Sequence, residues 1–79
     1  MAKSIYSAGQ ERLQKLLRQV REDGGLTQTD LAARLKKPQS FVSKYESGER
    51  RLDLIELKEV CEQIGISLVT LVQKFVKGE

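Results

Sequence analysis

Apolar residues recur along this chain at intervals of three and four. Leu13, Leu16, Leu17 and Val20 fall at i, i+3, i+4 and i+7, the pattern of a helix buried on one side. Ser7, with Gln10 three residues on, has the form of a capping box. A first helix is therefore predicted from about Ala8 to Asp23, behind a short leader over 1–7 in which Ile5 and Tyr6 either lie against the body or fray. Gly24 and Gly25 should end that helix, because glycine accepts the left-handed backbone that closes one. Later in the chain Leu54, Leu57, Val60, Cys61 and Ile64 mark a helix over about 54–64 whose apolar face should point inward, with Asp53 as its cap. Gly65 ends it, Ile66 tucks inward, and Ser67 caps a last helix over about 68–77.

Between these lie two shorter helices, about 28–35 and 39–46, joined by a turn of about three residues, Lys36-Lys37-Pro38. Thr27 is a good N-cap for the first, since its hydroxyl can accept from a free amide of the opening turn. Leu31, Ala32 and Leu35 share one face. Pro38, without an amide proton, suits the start of the second helix.

The second of these helices has two unlike faces. At roughly 100° per residue, Gln39, Ser43, Ser40 and Lys44 fall within an arc of about 140°. Phe41, Val42 and Tyr45 take the opposite arc and should be buried. The polar arc holds no carboxylate, and its members are residue types that hydrogen-bond base edges and phosphates. On periodicity alone it would pass for an ordinary amphipathic surface helix.

Charge adds to that picture. Five Lys/Arg face three Asp/Glu in residues 1–26, six face three in 27–52, and three face five in 53–79. The basic excess thus lies on and before the central pair of helices, as suits one face turned toward a polyanion. Cys61 is the only cysteine and there is no histidine, so zinc sites and the usual nucleophile–base pairs are excluded. The carboxylates are scattered on polar faces, so no catalytic residue and no cofactor is expected. No stretch approaches a membrane span and none reads as a secretory leader, so a cytoplasmic protein is expected. Seventy-nine residues make one domain, over about 8–77, near the size where a single core is only marginally sufficient.

Thr27-Gln28, Leu31-Ala32, Leu35, Gln39-Ser40, Val42-Ser43 and Tyr45-Glu46-x-Gly48 form an ordered set. In that set the chain resembles the XRE family of phage-repressor-like and Cro-like helix-turn-helix proteins over roughly residues 12 to 75. The resemblance implies an all-α, five-helix, lambda-repressor-like domain with its helix-turn-helix at about 27–46. It implies a transcriptional regulator that binds double-stranded DNA as a homodimer. Gln39, Ser40, Ser43 and Lys44 would face base edges. Gln28, Ser47 and Arg51 would hold phosphates, with help from Arg50 and Lys37, although a solvated surface role is the favoured reading for Lys37. The family pairs a basic residue with a glutamate at the positions of Arg21 and Glu46, which implies a structural ion pair. It also implies that Gln28 donates to a phosphate and braces Gln39; on its residue type alone Gln28 would simply face water.

One departure from the family stands at Lys36, where glycine is usual, and a left-handed backbone there would strain a lysine modestly. Cys61 stands where the family often has a small buried residue, which implies core filling. In the last helix Leu68, Val69, Leu71, Val72, Phe75 and Val76 spread over about 160° of the circumference, more than one small core needs. Leu68, Leu71 and Phe75 are assigned to the core, and Val69, Val72 and Val76 to a symmetry mate. An antitoxin-like module that grips a protein partner and binds DNA secondarily is the alternative.

Overall fold

In the computed structural model, which describes residues 8–78, five helices follow one another: α1 Ala8–Asp23, α2 Gln28–Leu35, α3 Gln39–Ser47, α4 Leu54–Ile64 and α5 Leu68–Lys77. The predicted leader and the cap at Ser7 lie outside those residues. Among the described residues there is no strand.

Local chemistry sets most of these boundaries. Thr27 Oγ1 accepts from the Asp30 amide at 3.0 Å while Asp30 Oδ2 accepts from the Thr27 amide at 3.0 Å, closing a capping box on α2. Asp53 and Glu56 do the same for α4, at 2.7 and 3.0 Å. Ser67 Oγ accepts from the Thr70 amide at the start of α5. Two free first-turn amides are thereby satisfied in each capping box. Pro38 precedes α3 with φ −67° and makes no side-chain cap there.

Three helices end in the same way. Gly25, Lys36 and Gly65 adopt φ of 76°, 58° and 100°, and the amide of the next residue reaches back five positions: Leu26 to Arg21, Lys37 to Ala32 and Ile66 to Cys61. This is the Schellman closure, which glycine enters without steric penalty. Lys36 is the only non-glycine residue with positive φ among the described residues. The left-handed backbone expected there is present.

The core gathers from all five helices: Leu17 and Val20, Leu31 and Ala32, Val42 and Tyr45, Val60 and Cys61, and Leu71. Leu13, Leu16, Leu35, Phe41, Leu57, Ile64, Ile66 and Leu68 pack half-buried against it. Cys61 is fully buried, and desolvation pushes its thiol pKa up, as expected of a space-filling cysteine. Phe75 lies at the edge under Arg12, whose guanidinium carbon stands 4.5 Å from the ring centre.

The expectation for Leu54 fails: it is 67% exposed, beside Ile55 at 72%. Periodicity gives a residue's angle around its helix, not how far along the axis the neighbouring helices extend. Leu54 has the right angle, but it is the first residue of α4, a full turn ahead of Leu57.

Candidate nucleic-acid interface

The two central helices pack on each other through Leu31, Ala32, Val42 and Tyr45. Burying Val42 and Tyr45 turns the opposite side of α3 outward. Gln39, Ser40 and Lys44 are exposed and Ser43 is half-buried. One polar row of α3 therefore faces solvent, and none of its four members is acidic.

The foundation of α3 is an ion pair. Arg21 on α1 donates through Nε to Glu46 Oε2 at 2.7 Å and through Nη2 to Glu46 Oε1 at 3.0 Å. Its third arm, Nη1, donates to the Leu26 carbonyl at 2.8 Å. The two side chains are 8% and 4% exposed, and the hydrogen bonds to Glu46 raise the Arg21 pKa further. The pair pins the end of α3 to the end of α1.

Gln28 connects this pair to the outward face. Its Nε2 donates to Glu46 Oε1 at 2.9 Å, and its Oε1 accepts from Gln39 Nε2 at 2.7 Å. The link between Gln28 and Gln39 was expected from the resemblance. The link between Gln28 and Glu46 was not, because it requires side chains from three helices to converge. Gln28 retains one N–H beyond these two bonds.

A second cluster braces the other flank of α3. The Phe41 ring meets Tyr45 edge-on, with centres 5.7 Å apart and planes at 76°. The Lys37 ammonium and the Arg50 guanidinium lie 5.5 and 4.9 Å from the Phe41 ring centre. Arg50 also forks onto Glu56, at 3.1 and 2.8 Å, and donates to the Arg51 carbonyl at 3.0 Å. The fork from Arg50, with the Asp53 amide, holds the Glu56 carboxyl down to a pKa of about 2. Arg50 and Lys37 are thus engaged with the protein itself, and Glu56, which sequence reasoning passed over, positions Arg50. The one available signal was an acid at the third position of a helix that Asp53 caps.

Ser47 is exposed and donates its hydroxyl proton to the Lys44 carbonyl at 3.1 Å, which leaves the oxygen as an acceptor. Arg51 is exposed and borders a concavity of about 230 Å³ between α1 and the loop after α3. Of the candidate phosphate-holding residues, Gln28 is brought beside the outward face of α3 by hydrogen bonds, whereas Arg50 and Lys37 are gathered around Phe41. Val69, Val72 and Val76 stand 66%, 46% and 60% exposed on α5. Among the described residues no three His, Cys, Asp or Glu side chains cluster as a metal ion would require, and no helix is long and apolar enough to cross a membrane.

Comparison with known proteins agrees with this geometry. A chain of Pseudomonas syringae pv. tomato described as an XRE-family-like protein superposes with a TM-score of 0.85 at 46% identity, covering 96% of this chain and 93% of that one. The restriction–modification controller protein C.Esp1396I, solved as a tetramer on its natural 35 base-pair operator, has the same fold at 22% identity. There the TM-score is 0.81, with 90% of this chain and 93% of that one covered. An uncharacterised HTH-type transcriptional regulator of Sinorhizobium fredii is 38% identical over 53 residues, 67% of this chain and 69% of its own length. Residues 17–71 match the helix-turn-helix family, from the third turn of α1 to the end of the first turn of α5. The chain belongs to the XRE-type helix-turn-helix family of DNA-binding transcriptional regulators.

Proposed function

We propose that this chain is a sequence-specific regulator that lays α3 in the major groove of double-stranded DNA, as a homodimer on an operator with two-fold symmetry. The observation that carries the reading is the outward row Gln39, Ser40, Ser43 and Lys44, free of carboxylates, with its leading amide held by Gln28. Base edges are read by such donors and acceptors, while phosphate contacts give register and salt-dependent affinity. Gln28, Ser47 and Arg51 are the holding residues in this reading, with Lys37 and Arg50 in support. The operator-bound tetramer of the C.Esp1396I controller is a precedent for this fold on DNA. Val69, Val72 and Val76 meet a second copy, since three exposed valines on one terminal helix need a cover. The activity is binding without catalysis or cofactor, and the compartment is the cytoplasm.

Selection of bound fragments from a random-DNA pool tests the proposal. The expected result is a motif of two inverted half-sites about one helical turn apart, roughly 34–36 Å between centres. Recovery of no motif at low salt would sink it.

A further inference from the structure

The basic excess around the central helices is answered by a carboxylate from outside them. Arg50, in the loop after α3, sets both terminal nitrogens on Glu56 of α4: Nη1 donates to Oε1 at 3.1 Å and Nη2 to Oε2 at 2.8 Å. Nη1 also donates to the Arg51 carbonyl at 3.0 Å, and the guanidinium carbon stands 4.9 Å from the Phe41 ring centre. Phe41 belongs to the arc of α3 opposite its polar row, so these contacts hold Arg50 on the flank of α3. Glu56 is itself fixed there, because its Oε1 also accepts from the Asp53 amide at 3.0 Å. The Arg50 and Glu56 side chains are 41% and 24% exposed, so the pair stands at the surface, where a polyanion would meet it. Two guanidinium N–H groups, on Nε and Nη2, make no bond among the described residues. What the fork withholds is therefore charge and reach more than donors.

We propose that Glu56 is a positioning residue that keeps Arg50 off the DNA backbone and thereby limits the sequence-independent part of the affinity. The inference rests on the chain binding double-stranded DNA, as in the preceding subsection. Sequence-independent affinity comes from cations that displace counterions from phosphates, each contact steepening the fall of log K with log salt by about 0.9. A guanidinium matched by a carboxylate brings almost no net charge to that exchange. To leave for a phosphate, Arg50 would have to give up two charge-assisted hydrogen bonds and strand the Glu56 carboxylate beside a polyanion. Lys37, 5.5 Å from the same Phe41 ring, shares this one counter-charge. The count of six Lys/Arg against three Asp/Glu over residues 27–52 thus overstates the charge offered to DNA, since the carboxylate that offsets it is carried by the acidic stretch that follows.

The discriminating variant is Glu56→Gln, whose side-chain carbonyl can still accept from the Asp53 amide in the capping box while the charge that holds Arg50 is gone. Neither Glu56 nor Arg50 belongs to the core, so substitutions at them leave its packing intact. Binding to a selected operator and to a scrambled duplex is measured between roughly 50 and 200 mM salt. Glu56→Gln should bind both duplexes more tightly at the low end. Its salt slope should steepen by about one, so that across this range it loses roughly three- to fourfold more affinity than wild type does. The gain should require Arg50: in an Arg50→Gln background, Glu56→Gln should leave affinity and slope where they were. If Glu56→Gln tightens binding equally with and without Arg50, the carboxylate acts as a general repulsive charge and the proposal is overturned. A loss of affinity in Glu56→Gln overturns it from the other side, by showing that the fork presents Arg50 to a phosphate. Unchanged affinity and slope in Glu56→Gln, beside a wild type that binds, overturn this inference alone. A wild type that binds neither duplex at low salt removes the DNA-binding reading first, and the role of Glu56 falls with it.

Discussion

Arg21 on α1 and Glu46 on α3 meet as a two-pronged ion pair at 2.7 and 3.0 Å, out of contact with most solvent. Taking one partner away strands the other charge in a place where water cannot compensate it, which costs about 3–5 kcal/mol. Arg21→Met and Glu46→Leu should each show a loss of that order in denaturant melts. The double variant should recover much of it, because two apolar side chains leave no buried charge behind. Independent, additive losses would mean that the two residues stabilise the fold separately.

Lys36 presents the opposite opportunity. It closes α2 in the left-handed region at φ 58°, where Gly25 and Gly65 close α1 and α4. A side chain there costs about 1–2 kcal/mol, and the extra freedom of glycine in the unfolded chain returns roughly 0.5–1 kcal/mol of it. Lys36→Gly should therefore stabilise the domain by up to about 1.5 kcal/mol, visible as a raised Tm. An unchanged or lowered Tm would show that the lysine is accommodated without strain.

The Tyr45 hydroxyl is buried and has no hydrogen-bond partner. An orphaned hydroxyl of this kind costs about 1–3 kcal/mol, so Tyr45→Phe should be neutral or stabilising at neutral pH. Burial also raises the pKa of the phenol above its ordinary 10. A group with a raised folded-state pKa favours folding fully below the unfolded value and loses that contribution as pH rises toward the folded one. Wild type should therefore lose stability above pH 10 relative to Tyr45→Phe. Parallel pH profiles for the two would place the hydroxyl in contact with water.

What the sequence disclosed and what it withheld divide along the range of the interactions. Thr27, Asp53 and Ser67 cap their helices through residues three positions away, so those starts were legible. The ends at Gly25 and Gly65 are equally local, and the anomaly at Lys36 could be anticipated from the family resemblance, which puts glycine there. Leu54 was misplaced because periodicity gives only its angle around α4, and at the first position of that helix it is left exposed. The fork of Arg50 onto Glu56 depends on the path of the intervening loop, which no spacing encodes. The bond from Gln28 to Glu46 joins α2 to the far end of α3, and only the packed structure brings those ends together.

On α5, Leu71 is buried and Leu68 half-buried, while Val69, Val72 and Val76 remain exposed on the other side. If that second stripe is covered by a symmetry mate, sedimentation at micromolar concentration should show a dimer. A Val69→Glu, Val76→Glu variant should then be a monomer whose helical signal and cooperative melt are intact, since neither valine serves the core. A wild type that stays monomeric throughout the range would leave the stripe without this partner.

Reading and holding should separate cleanly between Gln39 and Arg51. Gln39 offers an amide whose remaining N–H and carbonyl can pair with one base edge, and Lys44 offers donors to guanine. Ser40 and Ser43 are short and should choose less sharply. Replacing Gln39 by alanine should cost about 1–3 kcal/mol on the selected operator and relax choice at its own base pair. Arg51→Ala removes a charge without sequence information, so it should weaken all duplexes alike and shallow the dependence of log K on log salt by about one unit. The same substitution at Arg50 should do less to binding, because its guanidinium is already shared between Glu56 and Phe41. Titrations of the three variants against the selected operator and a scrambled duplex, at several salt concentrations, distinguish these outcomes. Equal losses on both duplexes for Gln39→Ala would remove α3 from the role of reader, while an unchanged salt slope for Arg51→Ala would remove Arg51 from the phosphate contacts and leave Gln28 as the principal holder.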